Sequence, residues 1–488
     1  MKRLFLTILS GCTIAFHVTA QNYHAVQGSS YAGSLGVANN PASMVNTPYK
    51  WDFTLFGIQA QTSTNAVTIY DYSFLSNPAG SKYYFSGGNY ERYARANTNL
   101  NLFNTRIALG RKQSIAFGAN FRSYTNLNTS RYNFIDTLKT TGRFFAMNEG
   151  NNNLGLSMTT SSWIELYGSY ARTLYDDERG RLNAGATIKL SRGLSGAYAK
   201  LDGGRFSTIA QGNGQQYLVS DGNLTYGYSS NYDRWLKTNS RGQNINNFLL
   251  YTEGGASIDL GFEYLVKPGE VTFYDEDDNY YDYTWKFGVS LLDMGGNQYK
   301  YGTQSRFING VKTNITSLSL DRKFDSTIKS LRVFNDSLAT LVSQSTPISG
   351  KFNIINPLRL VVNVDRYLTE AFFINAEVSV NMPTSFMKKY LQVKELNFIT
   401  LTPRWETKKW GFYLPMQFNN QNQFWVGGAV KAGPLLLGFH NWANVFSSKS
   451  TQNGGGYIAL TFHSSDFTSK KTDKRLDCPD DSRAKAVR

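Results

Sequence analysis

Apolar and polar positions alternate along much of the chain, most clearly in residues 256–267. Ala256, Ile258, Leu260, Phe262, Tyr264 and Val266 share one parity; Ser257, Asp259, Gly261, Glu263, Leu265 and Lys267 share the other. Successive side chains of a strand point to opposite faces, so this stretch predicts a strand with one apolar and one largely polar face. A soluble sheet would turn the apolar face to a core. A membrane barrel would turn it to lipid and the polar face to a lumen.

Recurrence and spacing decide between the two. The pattern returns in about fourteen segments, each near the ~9–11 residues a tilted strand needs to cross a bilayer. They are 50–62, 99–109, 113–126, 161–174, 181–191, 255–267, 281–293, 356–366, 370–382, 394–405, 409–419, 422–432, 434–444 and 455–463. The connections alternate, apart from a longer turn at 268–280 and short outer loops after 382, 419 and 444. Short ones fall near Arg111-Lys112, Asp176 to Gly180, Tyr367 to Thr369, Thr407-Lys408 and Ala432-Gly433. Long ones fall at 64–98, 127–160, 192–254 and 294–355. An even strand number with short turns on one side and long loops on the other is the plan of a bacterial outer-membrane barrel. The expected fold is therefore all-β, a transmembrane antiparallel barrel occupying 50–463. Two long connections carry further structure. A hairpin is expected around 205–229. Leu320, Phe324, Ile328, Leu331, Phe334, Leu338 and Leu341 recur at helical spacing, so 318–343 predicts an amphipathic helix that caps the mouth, docks a partner or packs on the barrel rim.

The two ends read differently. Lys2 and Arg3 precede an apolar stretch to Val18, and Val18-Thr19-Ala20 offers small residues for cleavage, which makes 1–20 a signal peptide. Leu9-Ser10-Gly11-Cys12 is a rival lipoprotein box; both imply export. Residues 464–488 are Lys-, Asp- and Ser-rich and predict a disordered periplasmic tail. Export with an even-stranded barrel places the protein in the cell outer membrane.

Composition agrees with this picture. The 488 residues include 31 Tyr, 32 Phe and 43 Gly but 11 Pro, and mean hydropathy is −0.37. Trp and Tyr cluster near strand ends (Trp51, Tyr280, Tyr281, Trp405, Trp410, Trp425, Trp442), as interfacial girdles do. The net charge of +15 suits anionic lipid or lipopolysaccharide headgroups or an acidic partner. Its basic residues are spread along the chain, which speaks against nucleic acid. Of the two cysteines, Cys12 and Cys478, only Cys478 would survive cleavage after Ala20, so a disulfide or Cys-based zinc site is not expected.

The lumen-facing parity carries the candidate site: Glu165, Lys189, Asp259, Glu263, Lys286, Arg359, Asp365 and Glu377. Arg or Lys on the lipid face would cost about 2–4 kcal/mol each at the midplane, so these charges are expected inside. They either line a pore or pair with one another and with residues 21–49 as structural glue. No metal site, cofactor or catalytic set is expected. Asp275, Asp277 and Asn279 have the spacing of a calcium loop's first ligands but lack its later ones. His440 and Asn441 are adjacent on a strand and so point apart, which argues against a Ser–His–Asn site. Pro403 and Pro415 interrupt strands and mark bulges or openings in the wall.

Just before the first strand, a small-residue stretch containing Gly36 and Val37 ends in Asn40-Pro41-Ala42. This resembles the amino-terminal segment of fatty-acid-transporter-type (FadL/PorV-like) outer-membrane β-barrels, including relatives that act in protein secretion. The resemblance implies that residues 21–49 fold into the lumen as a plug, with Asn40, Pro41 and Ala42 as its motif. It implies a channel or transporter for hydrophobic small molecules through a gap in the wall, or a non-transporting scaffold in a secretion or assembly complex. The partners are then outer-membrane lipid and a hydrophobic ligand or other outer-membrane proteins.

Overall fold

The computed structural model describes residues 23–464, except 74–77, 152, 212–213, 269–282, 370, 383–390 and 447–449. The leader, the Asp275–Asn279 run and the tail beyond Ser464 lie outside the described residues.

Fourteen antiparallel strands close into a barrel. The first seven are β1 (Trp51–Thr64), β2 (Gly88–Gly110), β3 (Gln113–Phe134), β4 (Leu154–Asp176), β5 (Gly180–Gln211), β6 (Gly254–Val266) and β7 (Trp285–Lys300). The rest are β8 (Arg359–Thr369), β9 (Phe372–Asn381), β10 (Phe398–Glu406), β11 (Trp410–Tyr413 and Met416–Asn419), β12 (Phe424–Val426 and Gly428–Ala432), β13 (Leu435–Phe439) and β14 (Asn453–His463). Each pairs with its neighbour, and β14 returns to β1 from Asp52↔His463 to Ser63↔Asn453. Closure leaves no free edge, as a strand structure in lipid requires.

The barrel is inside-out. Along β6, Ile258, Leu260, Phe262 and Tyr264 are exposed, while Ser257, Asp259, Glu263 and Leu265 are buried. Every strand of the fourteen presents an exposed large apolar residue, from Leu55 in β1 to Phe462 in β14. A continuous apolar exterior around a polar interior is the signature of a lipid-facing wall. Leu260→Arg should therefore destabilise the barrel by about 2–4 kcal/mol, read as a lower urea midpoint of the vesicle-folded protein. An unchanged midpoint would remove Leu260 from the lipid face.

Strands β2 to β5 run far past the segments their apolar alternation marks. Above the apolar belt their outward positions include Ser and Thr, as in Ser123, Thr125, Thr160 and Ser162, which hydrogen-bond to one another across the strands. The ladder continues where the hydrophobic pattern stops. Strand β5 ends in a hairpin with Gly214–Tyr228, which pairs on with Arg306–Val311 and then Val342–Pro347.

The stretch 318–343 is not one helix but two, α1 (Ser317–Lys323) and α2 (Leu331–Ala339), and from Val342 the chain is a strand. The break is local chemistry. Asp325 accepts hydrogen bonds from Thr327 N and Oγ1, which bends the chain and holds its carboxyl below the usual range. Ser330 then caps α2 through Val333 N. Both helices lay their apolar residues on the rim: Leu320 against Phe145, Phe206 and Tyr217, and Phe334 and Leu338 against Tyr226, Ile308 and Val342.

Strand β13 stops at Phe439. The wall above it is completed by residues 440–446, joined through His440 N to Gly455 O and Trp442 N to Val426 O. Trp425 is buried against Phe398 and Leu396 instead of joining an outer girdle, because its neighbour Phe424 takes the outward parity.

Candidate functional site: the filled lumen

Residues 23–49 occupy the barrel interior near the end with the short turns. Three 3-10 turns, His24–Val26, Gly33–Leu35 and Pro41–Val45, fold this segment into a compact body with hardly an exposed residue. Asn40 starts the last turn, its Oδ1 accepting from Ala42 N at 3.0 Å, and Pro41 fits the first helical position because it needs no donor there. The same Asn40 side chain donates to Phe262 O at 3.1 Å.

The wall is notched to receive this turn. A Cβ on Gly185 of β5 would lie 2.5 Å from Pro41 C and 2.6 Å from Ala42 N. One on Gly261 of β6, the register partner of Gly185, would strike Asn40 Oδ1 and come within 2.8 Å of Pro41 Cδ. Glycine is required at both by close approach, not by backbone angle.

Charged side chains tie this body to the wall. Arg106 (β2) donates to Asp52 (β1) at 2.5 Å and to Met44 O and Tyr49 O. Asp52 also accepts from Ser34 N at 2.5 Å. Arg404 (β10) forks onto Asp365 (β8) at 2.5 and 2.8 Å and reaches Glu406 at 2.8 Å; Ser29 Oγ donates to the same Glu406 at 2.7 Å. Lys286 donates to Gly28 O at 2.6 Å and lies 3.8 Å from Glu263, which accepts from Asn46. Glu377 lies 3.4 Å from His24 Nδ1.

A second charged layer lies nearer the loops. Arg122 (β3) forks onto Asp293 at 2.6 and 2.7 Å and lies 3.6 Å from Glu165. Lys189 (β5) bridges Asp259 and Asp293, both at 2.7 Å, and Arg359 meets Glu395 at 2.7 Å. Buried charges are retained only when paired and hydrogen-bonded, and here each has a partner of opposite sign.

Aromatic rings form the third layer, against the loops. Tyr124 stacks on Trp163 at 5.4 Å; Phe352 meets Tyr299 at 5.5 Å, Tyr301 at 4.6 Å and Tyr198 at 5.6 Å. Their hydroxyls are bonded: Tyr198 to Tyr301, Tyr299 to Ser161, Tyr124 to Glu395. Beside this layer a cavity of about 280 Å³ is lined by polar groups including Arg95, Asn381, Lys394 and Asn420.

All eight charged residues singled out from the sequence are buried, none more than 6% exposed. Glu165, Lys189, Asp259 and Arg359 meet in the middle layer; Glu263, Lys286, Asp365 and Glu377 meet residues 23–49. Sequence reasoning passed over Asp52, Arg106, Arg122, Asp293, Glu395, Arg404 and Glu406 as site members. Arg122 carried the inward-parity signal. Arg404 and Glu406 share one parity around Trp405, but Pro403 blurred that strand's alternation.

His440 and Asn441 do not cooperate. His440 Nε2 lies 3.0 Å from Gln59 Nε2, while Asn441 donates to Asn453. Pro403 and Pro415 sit where the ladder is interrupted, yet Leu414 N reaches Pro403 O and Gly427 N reaches Pro415 O, so the wall is kinked and joined. Among the described residues no group of three His, Cys, Asp or Glu is placed to hold a metal ion.

Among solved structures, the chain is similar to a Pseudomonas aeruginosa FadL homologue at 9% identity, covering 91% of this chain and 97% of that one, with a TM-score of 0.39. It is similar to the P. putida toluene transporter TodX at 11% identity, covering 89% and 95%, with a TM-score of 0.40. The translocator domain of the autotransporter NalP from Neisseria meningitidis follows at 8% identity, 85% and 88% coverage and a TM-score of 0.29. No curated protein matches the chain. The sequence pattern of one family runs from Pro41 in the buried turn to His440 above β13, and on that match over residues 41–440 the chain belongs to the Family of unknown function (DUF5723).

Proposed function

We propose that the protein is an outer-membrane barrel that takes up small hydrophobic molecules at its loop end. The observation carrying this reading is the aromatic layer formed by Tyr124, Trp163, Tyr198, Tyr299, Tyr301 and Phe352, directly above the charged one. Ring faces receive flat or acyl apolar guests, and the hydroxyls are already bonded to protein, so a guest needs to supply no polar group. Ions and polar solutes meet paired charges and residues 23–49 instead. Passage requires the rings to part and the buried segment or the kinked wall near Pro403 and Pro415 to yield. The protein contributes binding and gating, and no catalytic step.

The test is uptake of a fluorescent fatty acid into vesicles carrying the full-length protein. Phe352→Ala and Tyr301→Ala should change the uptake rate while the barrel stays folded. Uptake equal to protein-free vesicles ends this reading. A second reading is then favoured by how firmly residues 23–49 are fixed: a sealed barrel serving as a scaffold, with a stoichiometric outer-membrane partner recovered on its loop-end surface.

A further inference from the structure

Above β5 and β6 the chain leaves the wall and returns as a small tucked unit. It comprises the turn Ser230–Arg234 and the helix α3 (Arg241–Leu250), which lies before α1 in the chain. The unit is rigid. Ser240 and Gln243 close a capping box at the start of α3. Asn244 accepts from Leu236 N at 3.0 Å and donates to Leu236 O at 2.9 Å, and Phe248 packs edge-on against Tyr232 and Trp235. Yet Trp235, Leu236, Ile245, Leu249, Leu250 and Tyr251 are exposed, by 43 to 62%. A rigid unit that leaves this much apolar surface uncovered has an occupant for it.

Its place on the barrel says which. Tyr232 shares a hydrogen bond of 2.6 Å with Ser195, whose register partner Ser162 sits between the inward-facing Ser161 and Trp163. Ser195 therefore faces outward, and the unit leans on the outside of the wall, not over the lumen. Arg192, one step toward the membrane, donates to Thr252 at 2.8 Å. Below Arg192 on the same parity come Leu190 and Ile188, among the most exposed apolar residues of the belt, with Ile258 beside them on β6. The apolar surface of the unit thus continues the lipid-facing belt upward. Its charges are mainly basic: Arg192, Arg234, Lys237 and Arg241. Arg234 stacks on Tyr251 at 3.9 Å. Nearby Asp233 is taken up by Tyr228, and Glu253 by Lys351. Aromatic and aliphatic groups beside Arg and Lys, at the upper edge of an apolar belt, fit a lipid surface with anionic headgroups.

We propose that residues 230–251 are a membrane anchor lying at headgroup depth, with Trp235, Ile245 and Leu249 in the lipid and the basic groups on headgroup phosphates. This rests on the reading of the barrel as membrane-spanning, and the experiment separates the two. Full-length protein is folded into phosphatidylcholine–phosphatidylglycerol vesicles with or without lipid brominated near the top of its acyl chains. The emission of Trp235 is the difference between wild type and Trp235→Phe. That of Trp410, exposed at the opposite rim, is obtained in the same way. Loss of most of the emission of both tryptophans in brominated vesicles is the expected result. Quenching of Trp410 alone, with Trp235 quenched by aqueous acrylamide, overturns the anchor and leaves the barrel standing. Protection of Trp235 from both quenchers, as a second copy or a protein partner would give, also overturns it. Failure of both tryptophans to meet the bromine overturns anchor and barrel together. Ile245→Asn with Leu249→Asn should reduce Trp235 quenching without changing that of Trp410.

Discussion

Gly185→Val should turn a closed barrel into a leaky one. The added side chain meets the backbone of Pro41 and Ala42, with a Cβ already at 2.5 to 2.7 Å from three of its atoms. A backbone inside a fixed 3-10 turn cannot swing aside as a side-chain tip does. The turn must leave its notch, and with it the bond from Asn40 to Phe262 O. Neighbouring ties weaken in sequence, because Asn46, four residues past Ala42, holds Glu263 and Asn183. In planar bilayers the variant should pass a steady ion current that wild type lacks, and residues 23–49 should become sensitive to protease. Gly168→Val is the control: on β4 its Cβ meets nothing within 4 Å. A Gly185→Val protein that is folded, protease-resistant and non-conducting would sink the idea that the glycine notch seats the buried segment.

The largest loss of stability is expected at Asp365. It is wholly buried, receives both prongs of Arg404 and accepts from Tyr283 at 2.5 Å. Asp365→Ala strands the Arg404 guanidinium, keeping its desolvation penalty without its main counter-charge. Removing one partner of such a pair typically costs about 3–5 kcal/mol. The urea midpoint of the vesicle-folded protein should fall accordingly. Replacing the whole charged cluster, Asp365→Leu with Arg404→Met and Glu406→Gln, should recover most of that loss, because no charge of the cluster then remains to be compensated. If the triple variant is as unstable as the single, the cluster does more than neutralise itself. Its ties through Glu406 to Ser29 and through Gly28 O to the buried segment would then be where the stability resides.

Much of this architecture is legible in the chain because lipid imposes a strict rule on every second residue. Leu260 and Asp259 declare opposite faces by alternation alone, and the fourteen-strand plan follows from the recurrence of that pattern. What was not legible has two causes. Where β2 to β5 rise out of lipid, Ser162 and Thr160 obey no hydrophobic rule, so strand continues without its pattern. Inside the lumen, parity says that Lys189 and Glu165 point inward but not whom they meet. Asp293, at the centre of that layer, sits where β7 shifts register against β6 between Leu291 and Met294, so alternation alone could not assign it. Gly185 and Gly261 looked like ordinary small residues in their strands. Only the approach of Pro41 shows why nothing larger fits.

The unequal strand lengths have a further consequence. Strands β2 to β5 have 22 to 32 residues, whereas β8 to β10 have 9 to 11. At about 3.3 Å per residue and the usual tilt, a dozen extra residues carry one half of the rim roughly 30 Å above the other. The mouth is cut obliquely, like a scoop with a high back. On the uptake reading proposed above, a solute approaching from the low side has less protein to cross before the buried aromatic layer. One arriving from the opposite side meets a β-sheet screen. Orientation within the plane of the membrane thereby becomes a property of this protein, and on the uptake reading its low side is the side of entry.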